Sequence, residues 1–165
     1  MPFDYEANVA AVRQVLLDHN TTTASPDLSS GLTTRVRDVV IDDPESTSIQ
    51  WDQLPIIFVR IQGSEEEYAS LGPTGPAANR KSKTAVYELI GMYLRDGAYT
   101  TARVQETEVY RLAENLEGVF QAESQLSTTA LWCNPASTNF GVFGFGDGSR
   151  IKGFVTNLRA RYHFR

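Results

Sequence analysis

Few side chains in this chain of 165 residues are suited to a covalent step: one cysteine, Cys133, and two histidines, His19 and His163. Cys133 would act as a nucleophile only if His163 lay beside it in space to take the thiol proton. Flanked by Leu131 and Trp132, it reads instead as a small buried hydrophobe. A single cysteine allows no internal disulfide and no cysteine-rich zinc site, which favours a reducing compartment or a chain indifferent to the redox state around it. His19 falls at the end of a helical pattern, where partial positive charge is welcome, and His163 falls on a strand beside arginines. Neither has an acid at ligand spacing nearby in sequence, so neither reads as a metal ligand. Glu65-Glu66-Glu67 are consecutive and do not converge as a calcium cage does, so they read as a solvated face.

Four glycines between Gly141 and Gly148 invite a phosphate-binding reading. A dinucleotide fingerprint needs a strand before the glycines and a helix after them. Here a strand follows, Phe143 and Phe145 break the spacing, and no Lys-Ser or Lys-Thr pair completes a phosphate loop. The expectation is a flexible aromatic loop or bulge. The basic cluster Arg80, Lys81 and Lys83 is too short for a nucleic-acid patch and suits a partner's acidic surface. No catalytic set, cofactor or metal is expected, and the chain reads as a non-enzyme that assembles.

The formal net charge of -5 and the 41% apolar content describe an ordinary globular chain, sized for one domain over residues 1-165. No basic field spans it, which argues against nucleic-acid binding as its primary task. Twelve arginines stand against three lysines. That imbalance reflects either GC-rich codon usage or interface use, since the planar guanidinium pairs carboxylates and stacks on aromatic rings. The opening Met-Pro-Phe-Asp-Tyr-Glu has neither a positive region nor an apolar run, so no signal peptide is expected. No stretch approaches the roughly 20 apolar residues of a membrane span.

The positioning elements follow from periodicity. Tyr5, Val9, Val12 and Leu16 form one helical stripe between Asp4 and His19, with Asp4 as the cap. Thr33 to Ile41 is predicted as a strand. The segment Leu54 to Gln62 is apolar on both faces and predicts a strand covered on both sides, with Pro55 tolerated at its start. Gly63 to Ser82 reads as a long polar, turn-rich excursion, and Thr84 to Arg95 as the returning strand of a long hairpin whose tip projects. Val109, Leu112, Leu116, Val119 and Phe120 predict a second helix over Glu106 to Glu123, with acidic residues near its start where the macrodipole favours them. After Gln125 the chain reads as irregular until a final alternating strand, Ile151 to Phe164. There Phe154, Leu158, Tyr162 and Phe164 share one face and Arg159, Arg161 and His163 the other. No internal repeat is visible. The fold class expected is α+β: a small antiparallel or mixed sheet with two amphipathic helices packed on it, a long β-hairpin excursion and a C-terminal strand.

This succession resembles the tail terminator proteins of long-tailed bacteriophages. The likeness rests on the helix Asp4 to His19, the Leu-Pro-led strand Leu54 to Ile61, the strand Thr84 to Arg95, the helix Glu106 to Glu123 and the terminal strand Ile151 to Phe164. It spans nearly the whole chain as a pattern of elements rather than a short motif. The resemblance implies a homo-oligomer, a six-membered ring that caps the tail tube, ends its polymerisation and joins the tail to the neck. Its partners would be the tail tube protein and a neck or head-completion protein, and double-stranded DNA would pass through without sequence-specific binding. The place implied is the virion, assembled in the bacterial host cytoplasm, with no membrane contact. Subunit or ring contacts are expected at Arg80, Lys81, Lys83, Arg159, Arg161 and Arg165. Competing readings are another neck component, such as a head-completion, stopper or adaptor protein, and a small-molecule binding module with its pocket under Gly141 to Gly148. A tube subunit fits less well, because two helices are too many for a sheet that closes into an inner barrel.

Overall fold

A computed structural model describes residues 3-44, 49-68, 81-95, 102-126, 129-145 and 148-164. The fold is α+β. Helix α1 (Tyr5–Asp18) precedes strands β1 (Asp38–Ile41), β2 (Ile56–Tyr68) and β3 (Lys81–Arg95). Helix α2 (Ala102–Ala122) then leads to β4 (Trp132–Gly144) and β5 (Arg150–Phe164). The strands form one sheet in the order β1-β2-β3-β5-β4. β1 runs parallel to β2, and every other neighbouring pair is antiparallel.

Helix α1 begins where the Asp4 carboxylate accepts the Ala7 N–H at 2.9 Å, satisfying one of the donors a helix start leaves open. Its stripe of Val9, Val12, Val15 and Leu16 is buried, whereas Tyr5 stays exposed. All five apolar positions anticipated in α2 are buried. The helix starts a turn earlier than the sequence predicts, at Ala102, and no acidic residue lies in its first turn. Glu108 therefore does not serve the macrodipole. It is buried, and its carboxylate accepts from the Thr33 N–H at 3.0 Å, from the Thr33 hydroxyl, and from the Tyr93 hydroxyl at 2.6 Å.

Both helices cover one face of the sheet. α1 lies against β1 and β2, and α2 against β3, β4 and β5. Between them and the sheet lies the main core, with Ile57, Val59, Tyr87, Leu89, Phe154 and Leu158 contributed by the strands. Tyr87 and Tyr162 are buried there and satisfy each other through a 2.8 Å hydrogen bond. The opposite face carries a smaller cluster of Leu54, Ile56, Phe58, Ile90, Met92 and Ile151, packed with Ile49, Phe143 and Phe145. β2 is thus apolar on both sides, as its unbroken run of apolar residues predicts.

Three stretches depart from the sequence reading. Thr33 to Arg37 lies outside β1, because its polar groups are taken elsewhere: Thr33 by Glu108, Val36 N–H by Ser29 Oγ, Arg37 N–H by Pro55 O, and Arg35 by Asp27. The polar excursion is shorter than Gly63 to Ser82, since β2 continues to Tyr68 and β3 starts at Lys81. Cross-strand pairs such as Lys81 Nζ to Glu66 Oε1 at 2.9 Å line this outer hairpin in place of apolar burial. The expected hairpin tip, 69-80, lies outside the described residues. The largest miss is β4, read from sequence as irregular chain. Its Asn, Pro, Ser, Thr and Gly content is weak for a strand, and pairing with β5 supplies the order its own propensity lacks.

Two glycines let β3 and β5 approach where the core is tightest. A Cβ on Gly91 would collide with the Phe154 ring directly across the ladder, and one on Gly153 would collide with the Gly91 carbonyl. Gly91→Ala is expected to destabilise by about 1–3 kcal/mol through overpacking, read as a lower denaturant midpoint. Gly153→Ala should cost more, because a backbone oxygen cannot rotate away. A second expectation concerns Glu108. Burial pushes its carboxyl pKa up, but the hydrogen bonds from Thr33 and Tyr93 outweigh burial and hold it below the ordinary value. A depressed carboxylate contributes stability above its unfolded pKa and loses it as pH falls through the folded one. Glu108→Gln should cost about 1–3 kcal/mol at neutral pH, with the gap to wild type closing on acidification through that lowered pKa, measured by chemical denaturation across pH.

Candidate interaction surface

The two faces of the sheet divide the basic residues picked out by sequence. Lys81 and Lys83 project toward the helix side of the outer hairpin. Lys83 Nζ donates to Tyr5 Oη at 3.1 Å, stands 3.9 Å from Glu66 Oε2, and lies 5.0 and 5.1 Å from the ring centroids of Phe3 and Tyr5. With 13% of its side chain exposed, it fastens the start of α1 to the hairpin. Hydrogen bonds from Ser64 and Lys83 hold the Tyr5 hydroxyl pKa below its usual value, and the bond from Lys81 does the same for Glu66.

Arg159 and Arg161 point to the helix-free face, as strand alternation requires. Arg159 is exposed. Arg161 donates through Nη2 to Glu67 Oε2 at 3.1 Å and to Ser82 Oγ at 2.9 Å. Further along the same face, Arg60 bridges Glu88 and Asp43. This half of the face is a ladder of cross-strand ion pairs, and Arg159 is its outward-facing cation. Arg80 and Arg165 lie outside the described residues.

Cys133 and His163 occupy opposite faces of the sheet. Cys133 pairs in register with Ala160 on the helix side, whereas His163 is exposed on the other. The thiol is buried, its sulfur 3.3 Å from the Glu123 carbonyl oxygen, and burial pushes its pKa up to about 11. His19 caps α1 and bridges to α2: Nδ1 lies 2.7 Å from Pro26 O and Nε2 lies 3.3 Å from Glu123 Oε1. The glycine-rich stretch is the end of β4 and a tight turn into β5, with Gly148 at φ +82 and its N–H donated to Phe145 O at 2.9 Å. Strands flank that turn on both sides, so no helix N-terminus faces it. Gly146 and Asp147 lie outside the described residues. Among the described residues no three histidine, cysteine or acidic side chains converge on a common point. No described helix is long and apolar enough to cross a membrane.

What distinguishes the surface is where apolar side chains emerge. Among the described residues, the large apolar side chains left exposed are Tyr5, Ile41, Tyr110, Leu131, Trp132, Phe140 and Val142. Ile41 lies at the β1 edge, and Leu131, Trp132, Phe140 and Val142 lie on or next to β4 at the other, with Tyr110 of α2 against Phe140. Tyr5 sits over the outer β2–β3 hairpin, bonded to Ser64 and Lys83. Tyr5 and Ile41 flank a groove of about 670 Å³ between α1 and β1–β2. At the far edge, Tyr110 stacks edge-on against Phe140 with ring centroids 4.7 Å apart, and Val142 continues the patch. Sequence reasoning passed over these residues. The signal lay in a run from Ser124 to Gly146 with no charged residue. Natural edge strands are usually guarded by charge.

No known family model matches the chain, and no curated protein does either.

The position of Cys133 predicts that it stays unmodified by iodoacetamide in the native protein at pH 8 and reacts at once in denaturant, read by intact mass. Rapid native labelling would show the thiol reachable and ionised, contrary to its packing.

Proposed function

We propose that the protein is a structural part of a bacteriophage virion, a tail terminator whose copies close into a ring on the tail tube. The observation that carries this reading is the presence, among the described residues, of exposed apolar side chains at both edges of one sheet. A monomer working alone has no use for apolar surface at both ends. Subunits joined side by side around an axis need two different surfaces, and a ring closes when the rotation between neighbours is right.

The order of elements, which resembles the tail terminator family, narrows assembly to this particular ring. Two helices on one face of a mostly antiparallel sheet agree with that form. The ring would end tube polymerisation, meet the tail tube protein on one side and a neck or head-completion protein on the other, and leave a passage for DNA. A net charge of -5 suits such a conduit, because a strongly basic wall would hold the polyanion at every step. Arg159, exposed on the helix-free face, is placed for a junction with a ring above or below. The work is mechanical, with no bond made or broken.

The groove of about 670 Å³ between α1 and β1 favours one other reading, a small-molecule binding module. Negative-stain electron microscopy of the purified protein separates the two. Rings with a central hole are expected. Featureless single particles whose melting temperature rises with a small ligand but not with protein concentration would contradict the assembly reading.

A further inference from the structure

The two sheet edges differ in kind. At β1 the outward backbone of Val39 is already engaged: its carbonyl accepts from Arg13 Nε at 2.6 Å, and its N–H donates to Asp38 Oδ1 at 2.7 Å. This edge offers a concave apolar groove rather than a strand to pair with. At β4 the opposite holds. Its sequence contains no charged residue, and the Pro135 and bulge that interrupt it lie at its beginning, leaving Ser137 to Gly144 regular. Phe140, 49% exposed, lies at this edge on the helix side, where with Tyr110 and Val142 it lines an apolar depression of about 210 Å³.

From these features we infer that each copy docks its exposed Phe140–Tyr110–Val142 patch against the α1–β1 groove of the next copy, head to tail. This rests on the assembly reading above and names the surfaces that carry it. Three observations select a second copy as the occupant. One contact of this kind covers apolar surface at both edges, whereas a two-fold pairing of β4 with β4 would leave Ile41 and the groove in water. The charges also agree. Glu6, Asp42 and Asp43 rim the groove, and Arg60, which pairs with Asp43, lies among them. Arg150 and Lys152 lie across the ladder from Gly144 and Val142 beside the patch, with Glu106 nearby and Glu117 bonded to Thr138 further along β4. Finally, β4 runs antiparallel to β1 within the sheet. Rotation about an axis along the strands brings the same two edges together at every interface, as a head-to-tail ring requires.

The test uses two exposed positions, so that folding is spared: Phe140→Asp spoils the patch and Ile41→Asp spoils the groove. Circular dichroism checks that both variants fold, and native mass spectrometry or light scattering reads their size. Each variant alone should lose assembly, with the dissociation constant raised roughly tenfold or more. Mixed in equal amounts, they should form a one-to-one dimer, because one intact patch then meets one intact groove. If Ile41→Asp assembles like wild type while Phe140→Asp does not, the contact is two-fold at β4 and the inference is overturned. If both variants still form rings, another face carries the contact and the inference falls while the proposed function stands. A wild type that remains monomeric at high concentration overturns both.

Discussion

A single buried carboxylate holds this fold in register. Glu108 joins three elements that are distant in sequence: its own helix α2, the chain entering β1 through Thr33, and the end of β3 through Tyr93. Arg111 and Asn115, one and two turns along the same helix, extend the clamp. Arg111 donates to the Gly31 carbonyl, and Asn115 to those of Leu28 and Ser30. The loop between α1 and β1 is therefore fixed onto α2 by a polar stripe, while the apolar stripe of the same helix lies on the sheet. A charge in such a place is tolerated because Thr33 and Tyr93 donate to it.

With α2 anchored there, the rest of the layout follows. α1 is left to cover β1 and β2, and α2 covers the other three strands. β1 and β4 are the outermost strands, at opposite ends of the sheet. One edge is blunted by Arg13 and Asp38 and shaped as a groove. The other is a strand without charged residues and carries an exposed aromatic patch. Glycines at 91 and 153 let the central strands close around Phe154, which in turn lies 6.2 Å from the Phe140 ring. The interior packing and the surface patch are thus parts of one aromatic column running from β5 to α2.

Much of this was legible in the sequence. Both helices follow from their apolar spacing, the inner part of β2 from its unbroken apolar run, and β5 from its clean alternation of Phe154, Leu158 and Tyr162 with arginines. What escaped was structure that depends on a neighbour. β4 is a strand because β5 pairs with it, and its own residues carry weak strand preference. The outer halves of β2 and β3 are held by Lys81 and Glu66 across the ladder, a pairing that no single segment reveals. Glu108 looked like a helix-dipole residue because the start of α2 was placed a turn late. The arginines on β5 were placed on the correct face by alternation, but alternation does not show that Arg161 is engaged by Glu67. The apolar edge was hidden for the same reason as β4: a run without charge reads as loop until the strand beside it is known.

The central claim is that the open ends of the sheet are where one copy meets the next. Backbone hydrogen exchange of the wild-type protein, compared below and above its assembly concentration, tests this most directly. The account predicts added protection in residues 137-144 and in residues 5-10 and 38-41, with the inner strand segments 56-60 and 85-91 unchanged. Protection that appears only around Arg159 and Arg161 on the helix-free face, or no change at either edge, would contradict it.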